Sequence, residues 1–188
     1  MTAKGVIDLA FCDIQAEADI INSLAEKVKE EEQMNGPMSP TKTKRRYTEL
    51  RAVRMGNNNI SNVDILAGGL VQAGDRESIS WLDLSFNAIE KLTPAFAEAF
   101  PNLQLLYLQA NQITKLTDLK VLSHFKNLKS LVLFGNPVEG SKHYRNMILW
   151  ACPHLEILDF CPITKQQRAG NVVWADVFRR KLYPDEYY

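Results

Sequence analysis

The sequence has little of what catalysis, metal binding or membrane insertion draws on. It has only three cysteines (Cys12, Cys152, Cys161) in 188 residues. That number makes no paired disulfide framework and suits a reducing compartment. Net charge is absent, with Lys+Arg and Asp+Glu both at 22, so no global field draws the chain onto nucleic acid or a lipid surface. No apolar run is long enough to span a bilayer. The opening Met1-Thr2-Ala3-Lys4-Gly5 lacks the apolar stretch of a signal peptide. The three histidines (His124, His143, His154) show no metal-ligand spacing among themselves. Cys152-x-His154 with Cys161 hints at zinc, but a closed structural site needs four ligands, and buried apolar cysteine is the expected reading. There is no phosphate loop of the G-x-x-x-x-G-K type, and the carboxylates are scattered. The expectation is therefore no catalytic, metal or cofactor-binding residue, and a protein that is not an enzyme. Cytoplasmic or nuclear residence follows as the default.

What the chain does have is one spaced pattern, repeated. It reads Leu50-x-x-Val53-x-Met55-x-x-Asn58-x-Ile60, then Ile79-x-x-Leu82-x-Leu84-x-x-Asn87-x-Ile89. It returns as Leu103-x-x-Leu106-x-Leu108-x-x-Asn111-x-Ile113 and Leu128-x-x-Leu131-x-Leu133-x-x-Asn136-x-Val138. This is the leucine-rich repeat. Its fourth and sixth positions point to one side of a short strand and fill the coil. The Asn amide both donates and accepts, so it can satisfy backbone groups where the chain turns between coils. One coil cannot bury its own apolar face, whereas stacked coils share a core. A fifth copy, Leu155-x-x-Leu158-x-Phe160, keeps the strand but has Ile163 where Asn belongs. The solenoid is expected to end there. Its Leu155–Asp159 and Ile163-Thr164 resemble the C-terminal cap of leucine-rich repeat proteins of the phosphatase-regulator class.

The fold class that follows is α/β: a leucine-rich repeat solenoid with a curved parallel sheet, an N-terminal helix and a C-terminal cap helix. Residues 1–47 form an N-terminal helical arm and basic linker, 48–165 the repeat domain, and 166–188 the cap helix and tail. Asp13 to Glu32 reads as a helix with an apolar stripe of Ile14, Ala18, Ile21, Leu24, Ala25 and Val28. The stripe is expected to cover the open edge of the solenoid, the alternative being a free helix for a partner. Acidic residues dominate positions 1–36 and basic ones positions 37–56, which suggests separate surfaces or an association between the two segments. Ser39-Pro40 resembles a proline-directed phosphorylation site beside the basic Lys42–Arg46 cluster. That cluster could touch an acidic polymer such as a microtubule surface or a nucleic acid, but a plain solvated linker is the simpler account. Ser61–Ser78 is read as an extra loop broken by Gly68-Gly69 and Gly74. Short convex helices are expected at Pro94–Phe100, Thr117–Phe125 and Lys142–Cys152, and a final helix at Val172–Lys181. The closing Asp185-Glu186-Tyr187-Tyr188 faintly resembles an acidic-aromatic tail read by microtubule-end proteins; a free end is the simpler account.

The positions flanking the buried strand residues must face the concave side. Ala52, Trp81, Leu105, Ser130 and Ile157 form one column, and Arg54, Asp83, Tyr107, Val132 and Asp159 the next. Gly56, Ser85, Gln109, Phe134 and Cys161 form the third. The candidate partner-binding face is Arg54, Trp81, Asp83, Leu105, Tyr107, Gln109, Val132, Phe134 and Asp159. Trp81, Tyr107 and Phe134 serve as aromatic anchors with polar residues at the rim. The alternative is that a terminal arm folds over the groove.

Trp81-Leu82-Asp83-Leu84-Ser85-Phe86-Asn87, Leu106-Tyr107-Leu108-Gln109-Ala110-Asn111 and Leu128–Pro137, with Tyr144-Arg145 after them, carry a closer resemblance. So does the front, with Asp8-Leu9-Ala10-Phe11, a helix, a basic Pro-containing linker and Asn57 to Ile60. Together they resemble the leucine-rich repeat-containing protein 51 family over roughly residues 6 to 175. The resemblance implies a non-catalytic adaptor, a structural component of the cilium or flagellum axoneme. Its expected partners are other axonemal or cytoskeletal proteins in a microtubule-associated assembly, with no direct nucleic acid and no membrane. Its alternatives are a subunit of a nuclear ribonucleoprotein and a phosphatase-regulatory adaptor. The longer acidic helix and the Tyr-rich tail depart from the family pattern and leave the partners at both ends open.

Overall fold

The computed structural model describes residues 6–35, 50–73 and 76–182. The linker with Ser39 and Lys42–Arg46, the boundary expected at 47/48, and the Tyr183–Tyr188 tail lie outside the described residues. The strands are β1 (Val6–Asp8), β2 (Ala52–Arg54), β3 (Trp81–Asp83), β4 (Leu105–Tyr107), β5 (Ser130–Val132), β6 (Ile157–Leu158) and β7 (Cys161–Pro162). They form one seven-stranded sheet in sequence order. All neighbours are parallel except β6 and β7, which are antiparallel.

The repeat pattern dictates this sheet. Val53, Leu82, Leu106, Leu131 and Leu158 pair in register across β2 to β6, and all are fully buried. Each Asn then ties its coil to the one before. Asn87 Oδ1 accepts from the Ile60 N–H at 3.1 Å, and Nδ2 donates to the carbonyls of Met55 and Leu84, both at 3.0 Å. Asn111 does the same with Ile89 N–H at 3.0 Å, Leu84 O at 2.9 Å and Leu108 O at 3.0 Å. Asn136 repeats it with Ile113 N–H at 3.0 Å and the Leu108 and Leu133 carbonyls at 2.8 Å. A buried ladder of amides thus satisfies backbone groups that no water reaches.

The ladder extends one coil further back than the four repeats. Asn58 Nδ2 donates to Leu9 O at 3.0 Å, and its Oδ1 accepts from Cys12 N–H at 3.0 Å and Ile14 N–H at 3.1 Å. Ile7-x-Leu9-x-x-Cys12-x-Ile14 is therefore a coil of the same solenoid, with Cys12 at the Asn position.

The helical layer lies on the other side. It holds α1 (Glu17–Asn35), α2 (Asp64–Ala73), α3 (Pro94–Ala99), α4 (Tyr144–Ala151) and α5 (Lys165–Leu182), with 3-10 segments at Arg76–Ser78, Leu116–His124 and Pro137–Gly140. Three expectations are corrected. The supposed loop at Ser61–Ser78 contains α2, and Gly68-Gly69 sits inside that helix. Helix α1 packs against α2 as the helix of its own coil, and it buries Ile20 and Leu24 while Ile21 is exposed. Ile14 precedes the helix. Pro94 opens α3 after Thr93, whose hydroxyl accepts from Phe96 N–H at 3.0 Å. The final helix starts at Lys165, seven residues earlier than expected.

Candidate functional site

The concave face is built by the strand residues that do not enter the core, and its two halves differ. Toward β1 it is polar. Arg54 pairs with Asp8 at 2.8 Å and lies 3.9 Å from Asp83. Asp83 Oδ1 accepts from the Ser85 hydroxyl at 2.6 Å and the Ser85 N–H at 3.1 Å. Toward β6 the face is aromatic. Trp81 and Tyr107 meet edge to face at 5.8 Å, as do Tyr107 and Phe160 at 5.9 Å, and Phe160 and Phe134 lie tilted to each other at 6.2 Å. Leu105 lies beside them, half-buried. The Trp81 Nε1 and Gln109 Oε1 atoms are buried without a hydrogen-bond partner.

Two of the candidate residues differ from expectation. Val132 faces the concave side but is 0 % exposed, and it stands apart from the main core. The reason is Phe160, which follows β6 and reaches across β5 to Tyr107 on β4, over the strand that carries Val132. Val132 therefore supplies support beneath the aromatic run and no contact surface. Asp159 serves the cap. Each interior coil donates its sixth-position N–H to the next strand, as Met55 does to Asp83 O at 2.7 Å and Leu108 to Val132 O at 2.7 Å. At Asp159 the chain leaves β6 for the turn into β7, and the Asp159 carboxylate takes the place of a backbone carbonyl, accepting from Leu133 N–H at 2.8 Å and Phe134 N–H at 3.0 Å. The second oxygen accepts from the Tyr144 hydroxyl at 3.0 Å. Burial and the Asp159 carboxylate push the Tyr144 phenol far above its usual range.

Phe160 is the residue that sequence reasoning placed in the core. In the fold it is 60 % exposed, because Asp159 and Phe160 both take positive φ (52° and 60°). They form the two-residue loop that turns β6 back into β7. Cys161 accordingly lies on β7, outside the third concave column. The signal was present: a strand copy without its Asn, followed by Pro162, cannot continue the coil. The left-handed conformation suits Asp but strains a bulky ring. Phe160→Gly should therefore change stability by less than about 1 kcal/mol. Relief of backbone strain, about 1–2 kcal/mol, offsets lost ring contacts of about 0.5–1.5 kcal/mol each. Urea denaturation would check this, and a loss above about 3 kcal/mol would show that Phe160 is a core residue after all.

The remaining chemistry of the described residues is quiet. Cys152 is fully buried, and burial pushes its thiol up to about 11, so it is protonated at neutral pH. His154 Nε2 sits 2.9 Å from the Phe125 carbonyl oxygen. Among the described residues no group of three or more His, Cys, Asp or Glu is placed to hold a metal ion. No helix among them is long and apolar enough to cross a membrane.

A curved, mostly parallel sheet with a ladder of asparagines and an open aromatic face defines a leucine-rich repeat protein-interaction domain, and the leucine-rich repeat family matches residues 49–182. The chain is 33 % identical over 172 residues to leucine-rich repeat-containing protein 51 of Macaca mulatta, covering 89 % of this chain and 83 % of that one. Its Bos taurus counterpart is 40 % identical over 98 residues, 52 % of this chain and half (50 %) of that one. The chain belongs to the leucine-rich repeat-containing protein 51 family. Among solved structures, the Drosophila melanogaster SNF/U2A' complex contains a chain that superposes with a TM-score of 0.67 at 21 % identity, covering 96 % of this chain and 87 % of that one. That likeness is one of fold.

Proposed function

We propose that this protein is a non-catalytic structural adaptor of the ciliary or flagellar axoneme, holding a neighbouring axonemal or cytoskeletal protein on its concave face. The observation that carries the adaptor reading is the aromatic run. Phe134 and Phe160 are exposed and Trp81 and Tyr107 half-buried along one face of the sheet, where a folded monomer gains nothing from leaving aromatic surface open. Family membership supports the axonemal placing, through the association of that family with ciliated cells. The polar half of the face carries Asp8 and Asp83 against Arg54 alone, which disfavours direct nucleic-acid contact.

Tyr107→Ala should weaken partner binding by about 1–3 kcal/mol and leave the fold intact, since Tyr107 is half-buried and outside the core. The localising test is to tag the protein in a flagellated cell, strip membrane and matrix with detergent, and raise the salt. Retention on the axoneme through high salt supports a built-in structural part. Release, or a nuclear signal, overturns the axonemal reading. It would bring forward the adaptor for a ribonucleoprotein or a phosphatase complex.

A further inference from the structure

Resting on the adaptor reading above, we infer that the segment held on the concave face is a protein segment that lays apolar side chains on the aromatic run and directs an arginine at Asp83 and Gln109. The two halves of the face meet at these residues. Asp83 and Tyr107 are in register on adjacent strands, and Trp81 lies on the same strand as Asp83. Gln109 follows Tyr107 by two residues, on the same face, with strands spaced by about 4.8 Å.

Two acceptors at this junction lack a donor, while the Trp81 Nε1 donor lacks an acceptor. The Asp83 side chain is only 13 % exposed, and both bonds it accepts go to Oδ1. Its Oδ2 faces Arg54 across 3.9 Å, too far for a hydrogen bond, because the Arg54 guanidinium sits at 2.8 Å from Asp8. One carboxylate oxygen is therefore left with charge and no donor. The buried Gln109 Oε1 also lacks one. With two carboxylates against one guanidinium, this half of the face carries a surplus negative charge.

The complement is a cation with several donors and a flat apolar face. A guanidinium fits: its planar fork offers five N–H groups, enough to reach two acceptors on adjacent strands, and its face stacks on aromatic rings. A lysine ammonium supplies the charge as a point and cannot stack in the same way.

The probe is a random dodecapeptide display library panned on the full chain and counter-selected on Tyr107→Ala. Selected peptides that need Tyr107 should share an arginine among apolar residues. Replacing that arginine with citrulline, its neutral isostere, should weaken binding by at least about tenfold, and with lysine by somewhat less. Asp83→Asn should weaken the arginine peptide by a similar factor and leave the citrulline peptide unchanged. If Asp83→Asn perturbs the fold, the citrulline substitution still decides, since it alters only the peptide. Tyr107-dependent peptides without arginine, or arginine peptides indifferent to citrulline, overturn this inference and leave the adaptor reading standing. A selection yielding no Tyr107-dependent peptide overturns both. A dimer in sedimentation that Tyr107→Ala dissolves would seat a second copy in the groove and overturn the arginine-bearing partner.

Discussion

Asn111→Ala is expected to cost about 3–5 kcal/mol of folding stability. The side chain is buried, 6 % exposed, and serves three backbone groups at once: Ile89 N–H, Leu84 O and Leu108 O. Alanine leaves all three in a site closed to water, and each unsatisfied group costs about 1–3 kcal/mol before relaxation. Asn111→Asp is the sharper variant. It keeps the acceptor for Ile89 but turns a negative oxygen toward the Leu84 and Leu108 carbonyls, so it should be at least as damaging as alanine at neutral pH. Urea denaturation followed by far-UV circular dichroism measures both. A loss below about 1 kcal/mol for Asn111→Ala would mean that the ladder is decoration and that the apolar stack alone holds the coils together. A broadened transition would show that the break splits the solenoid into two cooperative blocks, as nearest-neighbour stacking allows.

That ladder also explains what could be read in the sequence and what could not. The four central coils were legible because every one carries its Asn and its apolar positions in register. The coil before them was not. Its Asn position holds Cys12 and its first position holds Lys4, so two of the marks that identify a repeat are missing. The same logic hid the true role of Phe160. Spacing assigned it to the core, but a solenoid must end, and the chain ends it by turning back at Asp159 and Phe160. The turn throws the ring onto the concave face and buries Val132 beneath it. Strand alternation put Val132 on the concave side, but it also put Phe160 in the core and Cys161 in the third column, where the fold does not have them. It could not say what would be laid on top. Asp159 shows a further limit: spacing does not reveal that its carboxylate, at the turn out of β6, takes the place of a backbone carbonyl for Leu133 and Phe134.

A second regularity escaped the pattern altogether. The residue before each Asn position has positive φ: Phe11 (59°), Asn57 (57°), Phe86 (54°), Ala110 (54°) and Gly135 (74°). Gly and Asn tolerate this conformation, and Phe does not favour it. Phe11 and Phe86 nonetheless stand there exposed. Apolar spacing carries no information about such backbone demands, so this ridge is visible only in the fold.

Gly69→Val is expected to cost about 3 kcal/mol, and to act first on the N-terminal coil. A glycine within a helix is unfavourable by roughly 1 kcal/mol relative to alanine, so its presence in α2 needs a reason. Packing supplies it. A Cβ at Gly69 would lie 2.9 Å from Ile20 Cδ1, 3.0 Å from its Cβ and 3.1 Å from its Cγ2. Ile20 is fully buried on α1 and has no room to swing away. The bulk of valine must therefore push α1 off α2. Limited proteolysis should cut within α1 of the variant at concentrations that spare the wild type, while the later coils persist. The cause can be isolated by a double-mutant cycle. Ile20→Ala alone should cost about 2–4 kcal/mol by opening a cavity. Combined with Gly69→Ala, whose methyl group moves into that space, the pair should be at least about 1 kcal/mol more stable than the two single losses added together. Gly170→Ala is the control. It too lies inside a helix, α5, but its Cβ would meet nothing within 4 Å, so the ordinary propensity gain of about 0.5–1 kcal/mol should appear. Equal responses at the two glycines would sink the packing account and leave Gly69 as a simple helix weakener. Opposite responses would show that the close approach of α1 is what keeps a glycine there, and that the pair read as a loop signal instead seats the first coil.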